Sequence, residues 1–276
     1  MFAGANSTYQ ESDFVIIGVP FDKTSSFRAG TAQGPDSIRS ASFCFEPYMM
    51  EYGISLSEIA IHDKGNLKEY GDVKEMGNDI CQNISDIVND NKIPIVLGGE
   101  HSISPFVVKG LKEKFGKIDV VVLDAHLDYR DEYEGMKHSH ATAVRRISEL
   151  DIVKNLTVIG VRSISEEESR TKKVEYISPL EINEKDFKFQ FKSENPIYMS
   201  IDMDVIDPSY APGVGNPEPF GLKPKTVKDI IRDLSPSIVG LDIVETNPKF
   251  DSGEITSNLA SRFVNEFIAS KFFCNE

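Results

Sequence analysis

The sequence predicts an α/β fold, a three-layer α/β/α sandwich with a mostly parallel central sheet. Three observations lead there. Short β-rich runs alternate with longer amphipathic stretches along nearly the whole chain, the rhythm of strand–helix–strand units. Several of the short runs are apolar on both faces, as parallel strands buried between two helical layers should be. Polar motifs follow these runs directly, at the carboxyl ends of strands where open α/β sheets hold their ligands.

The elements follow in order. A strand over 14–19 (FVIIGV) precedes helices over 34–44 and 73–90. Strand 93–97 (IPIVL) leads into helix 103–115, strand 118–123 (IDVVVL) into helix 139–150, and strand 156–161 (LTVIGV) into helix 164–173. Strand 196–201 (PIYMSI), helix 224–234, strand 238–243 (IVGLDI) and helix 254–272 complete the set. The last helix carries Ile255, Leu259, Phe263, Phe267 and Ile268 at helical spacing, a core-packing stripe behind the capping candidates Asp251 and Ser252. The Gly/Pro-rich run from Asp207 to Gly221 reads as a long irregular loop, and long loops inside compact domains tend to carry function. With no internal repeat, low-complexity tract or dividing linker, residues 1–276 read as one domain.

Composition narrows the function. At 40% hydrophobic and 27% charged, this is an ordinary soluble globular protein, and no apolar run approaches the roughly 20 residues a membrane span requires. The start MFAGANSTYQESD has no basic and no apolar region of a secretory signal, so a cytoplasmic location is expected. Cys44, Cys81 and Cys274 are odd in number, far apart and outside any CxxC pattern; a disulfide framework and a zinc–thiolate site are disfavoured. A formal charge of −14 opposes nucleic acid and anionic lipid and favours cations, metal ions and amines included.

Three strand-end motifs carry the chemistry. In Asp124-Ala-His126-Leu-Asp128, alternate side chains leaving a strand fall on one side, so two carboxylates and an imidazole converge. In Ser200-Ile-Asp202-Met-Asp204, two same-face carboxylates would repel unless a cation lay between them. Gly98-Gly99-Glu100-His101-Ser102 ends a third strand, its glycines letting the chain turn sharply. Each motif taken singly has a bland reading as a solvated strand end or helix start; together they make metal binding the stronger one. The donors are Asp124, Asp128, Asp202, Asp204, His101 and His126, enough for two ions sharing bridging carboxylates. Oxygen donors mixed with imidazole and no thiolate suit Mn²⁺, with Fe²⁺, Co²⁺ or Zn²⁺ as substitutes. Two ions about 3.5–4 Å apart can lower the pKa of a shared water from about 15.7 towards ~7.

These motifs, with the later Leu241-Asp-Ile-Val-Glu-Thr-Asn-Pro248, the early GVPFD, Gly30 and the run GPDSIR at 34–39, give the chain a sequence that resembles the ureohydrolases, the family of arginases and agmatinases. The resemblance covers nearly the whole chain in the family's order and implies the arginase-like form of the fold predicted above. It implies that His101, Asp124, Asp128 and Asp202 hold one Mn²⁺ and that Asp124, His126, Asp202 and Asp204 hold the other. It implies that Glu245 binds a guanidinium, as a carboxylate accepting paired N–H bonds could, and that His140 shuttles protons. The implied reaction is attack of a metal-bridging hydroxide on the guanidinium carbon, with Asp128 passing a proton to the leaving amine and His140 exchanging protons with solvent. Asp207 is read as a loop-turning residue, and His138 and His62 as without function.

The segment Asp128-Tyr-Arg-Asp-Glu-Tyr-Glu-Gly135 resembles the agmatinase form of the family, which makes agmatine the expected substrate and urea and putrescine, a polyamine precursor, the products. Asp131, Glu132 and Glu134 are expected to make the mouth of the site acidic, suiting a distal ammonium. Asn216, Phe220 and the run His62-Asp-Lys-Gly-Asn66 depart from the family's usual residues. Arginine, guanidinobutyrate, guanidinopropionate and formiminoglutamate stay open as substrates. A binuclear phosphoesterase would show GNHE-like and GDxxD motifs, which this chain lacks. A non-catalytic metal- or polyamine-binding relative is the remaining alternative. The resemblance also implies a homo-oligomer, a trimer or hexamer.

Overall fold

The computed structural model describes residues 1–182 and 193–274. Its central sheet is built from β1 (Phe14–Val19), β4 (Ile61–Asn66), β5 (Ile93–Gly98), β6 (Ile118–Leu123), β7 (Val153–Ile159), β8 (Glu175–Ile177), β9 (Ile197–Asp202) and β10 (Ile238–Val244). The spatial order is β4-β1-β5-β10-β9-β6-β7-β8, and every neighbouring pair is parallel. β1, β6 and β9 are buried at every residue, which is why their sequences lack alternation. A two-residue antiparallel pair, β2 (Tyr48–Met49) and β3 (Ile54–Ser55), stands apart from the sheet.

Helices cover both faces. α1 (Gly34–Ser42), α5 (Pro224–Leu234) and α6 (Ile255–Phe273) bury Ile38, Val227, Ile230, Phe263 and Phe267 in one core. α2 (Val73–Asn89), α3 (Ser104–Gly110) and α4 (Ala143–Ser148) bury Met76, Ile80, Val107, Val144 and Ile147 in the other. The expected three-layer arrangement is therefore what the chain adopts, with each core formed by one sheet face and its helices.

Several elements differ from expectation. The predicted helix 164–173 is not α-helical; only a 3-10 turn, Glu168–Arg170, forms there. The buried Glu168 carboxylate accepts the Ser165 amide and hydroxyl and the Tyr129 amide, local bonds that compete with a helix. Helix 103–115 stops as α3 at Gly110, and 139–150 is a 3-10 turn, His140–Thr142, followed by α4. The strand predicted over 156–161 runs as β7 three residues earlier at its start. Ahead of α6, Asp251 accepts the Thr256 and Ser257 amides, whereas Ser252 provides no such bond.

Candidate metal centre

Four adjacent strands in the middle of the sheet, β5, β10, β9 and β6, release their chains at the same edge, and each release carries a residue expected in the site. After β5 the chain turns at Gly99, where a Cβ would lie 2.0 Å from the Phe21 carbonyl oxygen. Glycine is required for so close an approach. The turn delivers His101, fully buried in the 3-10 turn His101–Ile103. Asp124, His126 and Asp128 leave β6. Asp202 ends β9 and accepts the Asp204 amide at 2.9 Å, opening the 3-10 turn that carries Asp204. Glu245 follows β10 directly.

The structure brings the six expected ligands together. His101 Nδ1 lies 3.1 Å from Asp124 Oδ2, 3.3 Å from Asp128 Oδ2 and 3.4 Å from Asp202 Oδ2. His126 Nδ1 lies 2.9 Å from Asp204 Oδ2 and 3.6 Å from Asp124 Oδ1. Two groups able to hold a metal result, His101–Asp124–Asp128 and Asp124–His126–Asp204, sharing the Asp124 carboxylate. His101 Nδ1 and Asp124 Oδ2 are buried without a hydrogen-bond partner, a costly arrangement unless a cation is the missing partner. The donor set, oxygen and imidazole without sulfur, fits divalent ions of the Mn²⁺ kind.

The electrostatics agree. Burial, then the Asp124 charge, pushes Asp128 up to about 7. Burial with Asp204 and Asp124 drives Asp202 well above the usual carboxylate range. For Asp124 burial is outweighed by His101 and His126, which hold it below that range. Burial likewise opposes charge on His101 and His126, yet the surrounding carboxylates raise both well above the ordinary imidazole value. Such a cluster of mutually perturbed groups marks a functional site.

A further layer of residues, not anticipated from the sequence, orients the imidazoles. His101 Nε2 is 3.0 Å from Ser200 Oγ, whose own proton goes to Asp242 Oδ1 at 2.6 Å. Ser200 must therefore accept Nε2–H, which leaves the Nδ1 lone pair facing the carboxylates. The Tyr198 hydroxyl also donates to Asp242. Glu218 Oε1 lies 3.3 Å from His126 Nε2 and selects the same tautomer there. Carboxylate support of this kind is the usual companion of metal-bound histidine. Ser200 and Asp242 were visible as lone polar residues inside apolar strands, and Glu218 lies in the Asp207–Gly221 loop.

Asp128 and Glu245 both adopt positive φ, 48° and 63°, backbone strain that side chains bear where the fold over-determines them. Glu245 Oε1 accepts the His101 amide at 2.8 Å, and burial followed by the neighbouring Glu100 charge pushes Glu245 up to about 8. His140 sits with Nε2 3.2 Å from Ser26 Oγ and Nδ1 3.4 Å from Thr24 Oγ1, and burial lowers it to about 4.

A cavity of about 190 Å³ opens over this edge, lined by Asp128, Asp202, Asp204, His126, His140 and Glu245 among others. The expected acidic mouth is corrected: none of Asp131, Glu132 and Glu134 lines it, and Asp131 pairs with Arg145 and Arg146 instead. The remaining charged groups of the wall are Arg28, Arg130 and Glu168. Asn216 lines the cavity, whereas Phe220 lies in the exposed loop with φ 66°. Asp207 turns that loop, accepting the Ser209 and Gly221 amides. His138 stacks on Phe106 and His62 bonds the Ser7 carbonyl, both away from the cavity lining.

Comparison with known proteins places this geometry. The arginase family profile matches residues 12–269. The crystal structure of agmatine ureohydrolase of Thermoplasma volcanium superposes with a TM-score of 0.92 at 40% identity, over 99% of this chain and 94% of that one. Agmatinase of Bacillus anthracis is 33% identical over 97% of this chain and 95% of its own length. N(1)-aminopropylagmatine ureohydrolase of Thermococcus kodakarensis is 34% identical over 86% and 83% respectively. The chain belongs to the arginase family, is most like its agmatinases, and is a hydrolase acting on linear amidines.

Proposed function

We propose that this chain is a manganese-dependent agmatinase that hydrolyses agmatine to urea and putrescine. The observation that carries the reading is the shared Asp124 carboxylate, one oxygen in each imidazole–carboxylate group, in a cavity that also holds Glu245 and His140. His101, Asp124, Asp128 and Asp202 would hold one ion, and Asp124, His126, Asp202 and Asp204 the second. When bound, the ion pair supplies a water ionised near neutral pH and a positive field at the carbon under attack.

The chain's own residues do the rest. Glu245, strained at positive φ and half-buried in the cavity wall, accepts the paired N–H groups of the planar guanidinium and fixes its carbon. Asp128, whose carboxyl group is pushed up from the ordinary range by burial and by the Asp124 charge, takes a proton and passes it to the departing amine. His140 Nε2 exchanges protons with solvent. Glu168, the cavity-wall carboxylate outside the ligand set and Glu245, meets the substrate's distal ammonium. The same reading carries with it a single catalytic domain, a cytoplasmic location and a homo-oligomer, a trimer or hexamer. Among the described residues, no helix is long and apolar enough to cross a membrane.

The kinship with an aminopropylagmatine ureohydrolase supports a second reading, in which the guanidine bears a longer polyamine tail. Urea release by the manganese-loaded protein from agmatine, N1-aminopropylagmatine, arginine, guanidinobutyrate and guanidinopropionate decides the matter. Preference for agmatine supports the first reading. Preference for the extended amine transfers the mechanism to that substrate, and an absence of urea from every guanidine overturns both.

A further inference from the structure

We propose that Glu100 and Thr24 are positioning residues that hold His140 in the Nδ1-protonated tautomer, leaving Nε2 as its basic atom. Glu100 is fully buried beside His101 in sequence. Its carboxylate accepts the Thr24 amide at 2.7 Å, the Thr24 hydroxyl, the Ser102 hydroxyl at 2.6 Å and the Ser25 hydroxyl at 3.3 Å. Both of its oxygens are met by donors, Oε2 by the Thr24 amide and Oε1 by the Thr24 and Ser102 hydroxyls, so the single Thr24 hydroxyl proton is committed to it.

That commitment fixes what Thr24 Oγ1 can do elsewhere. Its two lone pairs face His140, one meeting the His140 amide at 3.0 Å and the other Nδ1 at 3.4 Å. With its proton already given to Glu100, Oγ1 can only accept from Nδ1, so the proton of the neutral imidazole resides there. Nε2 is left with its lone pair, 3.2 Å from the exposed Ser26 hydroxyl, in the cavity wall. The logic repeats the Asp242–Ser200–His101 chain with the ring reversed: in each, a buried carboxylate takes a hydroxyl proton and the hydroxyl then selects an imidazole nitrogen. At His101 the freed nitrogen is Nδ1, facing the metal-binding carboxylates. At His140 it is Nε2.

The catalytic consequence rests on the reading of His140 as a proton shuttle; the tautomer itself does not. ¹⁵N-resolved NMR of the histidine side chains in the protein loaded with diamagnetic Zn²⁺ reads the tautomer directly. With five histidines in the chain, His140→Asn assigns the resonance. The wild type is expected to show Nδ1 protonated at pH 7. Thr24→Val, which keeps shape and removes the hydroxyl, is expected to lose that preference and to lower kcat for agmatine by roughly tenfold or more with KM unchanged, a part of the roughly 10²–10⁴ that a positioned proton-transfer group supplies. Thr24→Ser should restore both. An Nε2-protonated wild type, or a Thr24→Val protein with tautomer and kcat unchanged, would overturn the proposal. An undiminished kcat in His140→Asn would overturn the shuttle reading and the kinetic consequence drawn from it, while the NMR result would still decide the tautomer.

Discussion

His101 Nδ1 and Asp124 Oδ2 face each other across 3.1 Å, both buried, and neither has a hydrogen-bond partner. Two lone-pair donors so placed point at a common third centre. Metal occupancy should therefore stabilise the fold. At a free Mn²⁺ concentration of a hundred times Kd, the gain is roughly 2.7 kcal/mol, about 5 °C or more in Tm for a chain of this size. Differential scanning fluorimetry with and without chelator checks this, and Asp124→Asn should abolish the manganese-dependent shift while leaving the metal-free protein folded.

The Asp242–Ser200–His101 chain predicts an effect on affinity without any contact to the ion. Ser200→Ala frees the His101 tautomer and should weaken manganese binding by roughly 10–100-fold. Competition against a colorimetric chelator measures it; an unchanged affinity would remove the orienting role of Ser200.

Glu245 should matter for the substrate and not for the metal. Glu245→Gln removes a charge-assisted acceptor of the guanidinium, a loss of roughly 1.5–3 kcal/mol, or about 10–150-fold in kcat/KM. Manganese stoichiometry, measured by elemental analysis on the same sample, should stay at the wild-type value.

Glu168 makes a prediction about the substrate tail. Its carboxylate lines the cavity with Arg130 3.8 Å away. Glu168→Gln should raise KM for agmatine and leave KM for butylguanidine, which has no distal ammonium, at the wild-type value. An equal loss on both would mean that Glu168 serves only to hold the Ser165 loop.

The Arg39–Asp63 pair predicts acid sensitivity away from the site. Arg39 Nε and a terminal nitrogen meet Asp63 at 2.8 and 3.0 Å, with the Asp63 side chain fully buried. Burial opposes the Asp63 charge, but Arg39 and the Gly65 and Phe2 amides outweigh it and lower its pKa from the ordinary 3.8. A depressed folded pKa gives stability that is complete above the unfolded value and is lost as pH falls through the folded one. Urea unfolding of metal-free protein should show this decline below about pH 4. It should be absent in Asp63→Asn, which starts roughly 3–5 kcal/mol less stable because the buried Arg39 loses its close carboxylate partner and keeps only the exposed Asp36 at 3.6 Å.

What could be read from the chain follows from burial. β1, β6 and β10 lie in the middle of the sheet or next to it and show as apolar runs. β4 escaped notice because its sequence, IHDKGN, serves an edge position where only Ile61 is buried. The residues that gather at the site were legible because a strand end projects alternate side chains to one side, which made the spacing of Asp124, His126 and Asp128 informative. The acidic mouth failed because charge in a loop says nothing about direction: Asp131 turns to Arg145 and Arg146. Glu100 stood in plain view beside His101, yet its partner Thr24 is 76 residues distant, a relationship that only folding creates.

The most direct test of the account is the identity of the products. Wild-type, manganese-loaded protein incubated with agmatine should release urea and putrescine in equal amounts, followed by ¹³C NMR of guanidinium-labelled substrate and amine chromatography, and Asp124→Asn should release neither. Ammonia with a ureido product, or intact agmatine after prolonged incubation, would contradict the claim that this site cleaves the bond between the guanidinium carbon and the substrate's amine.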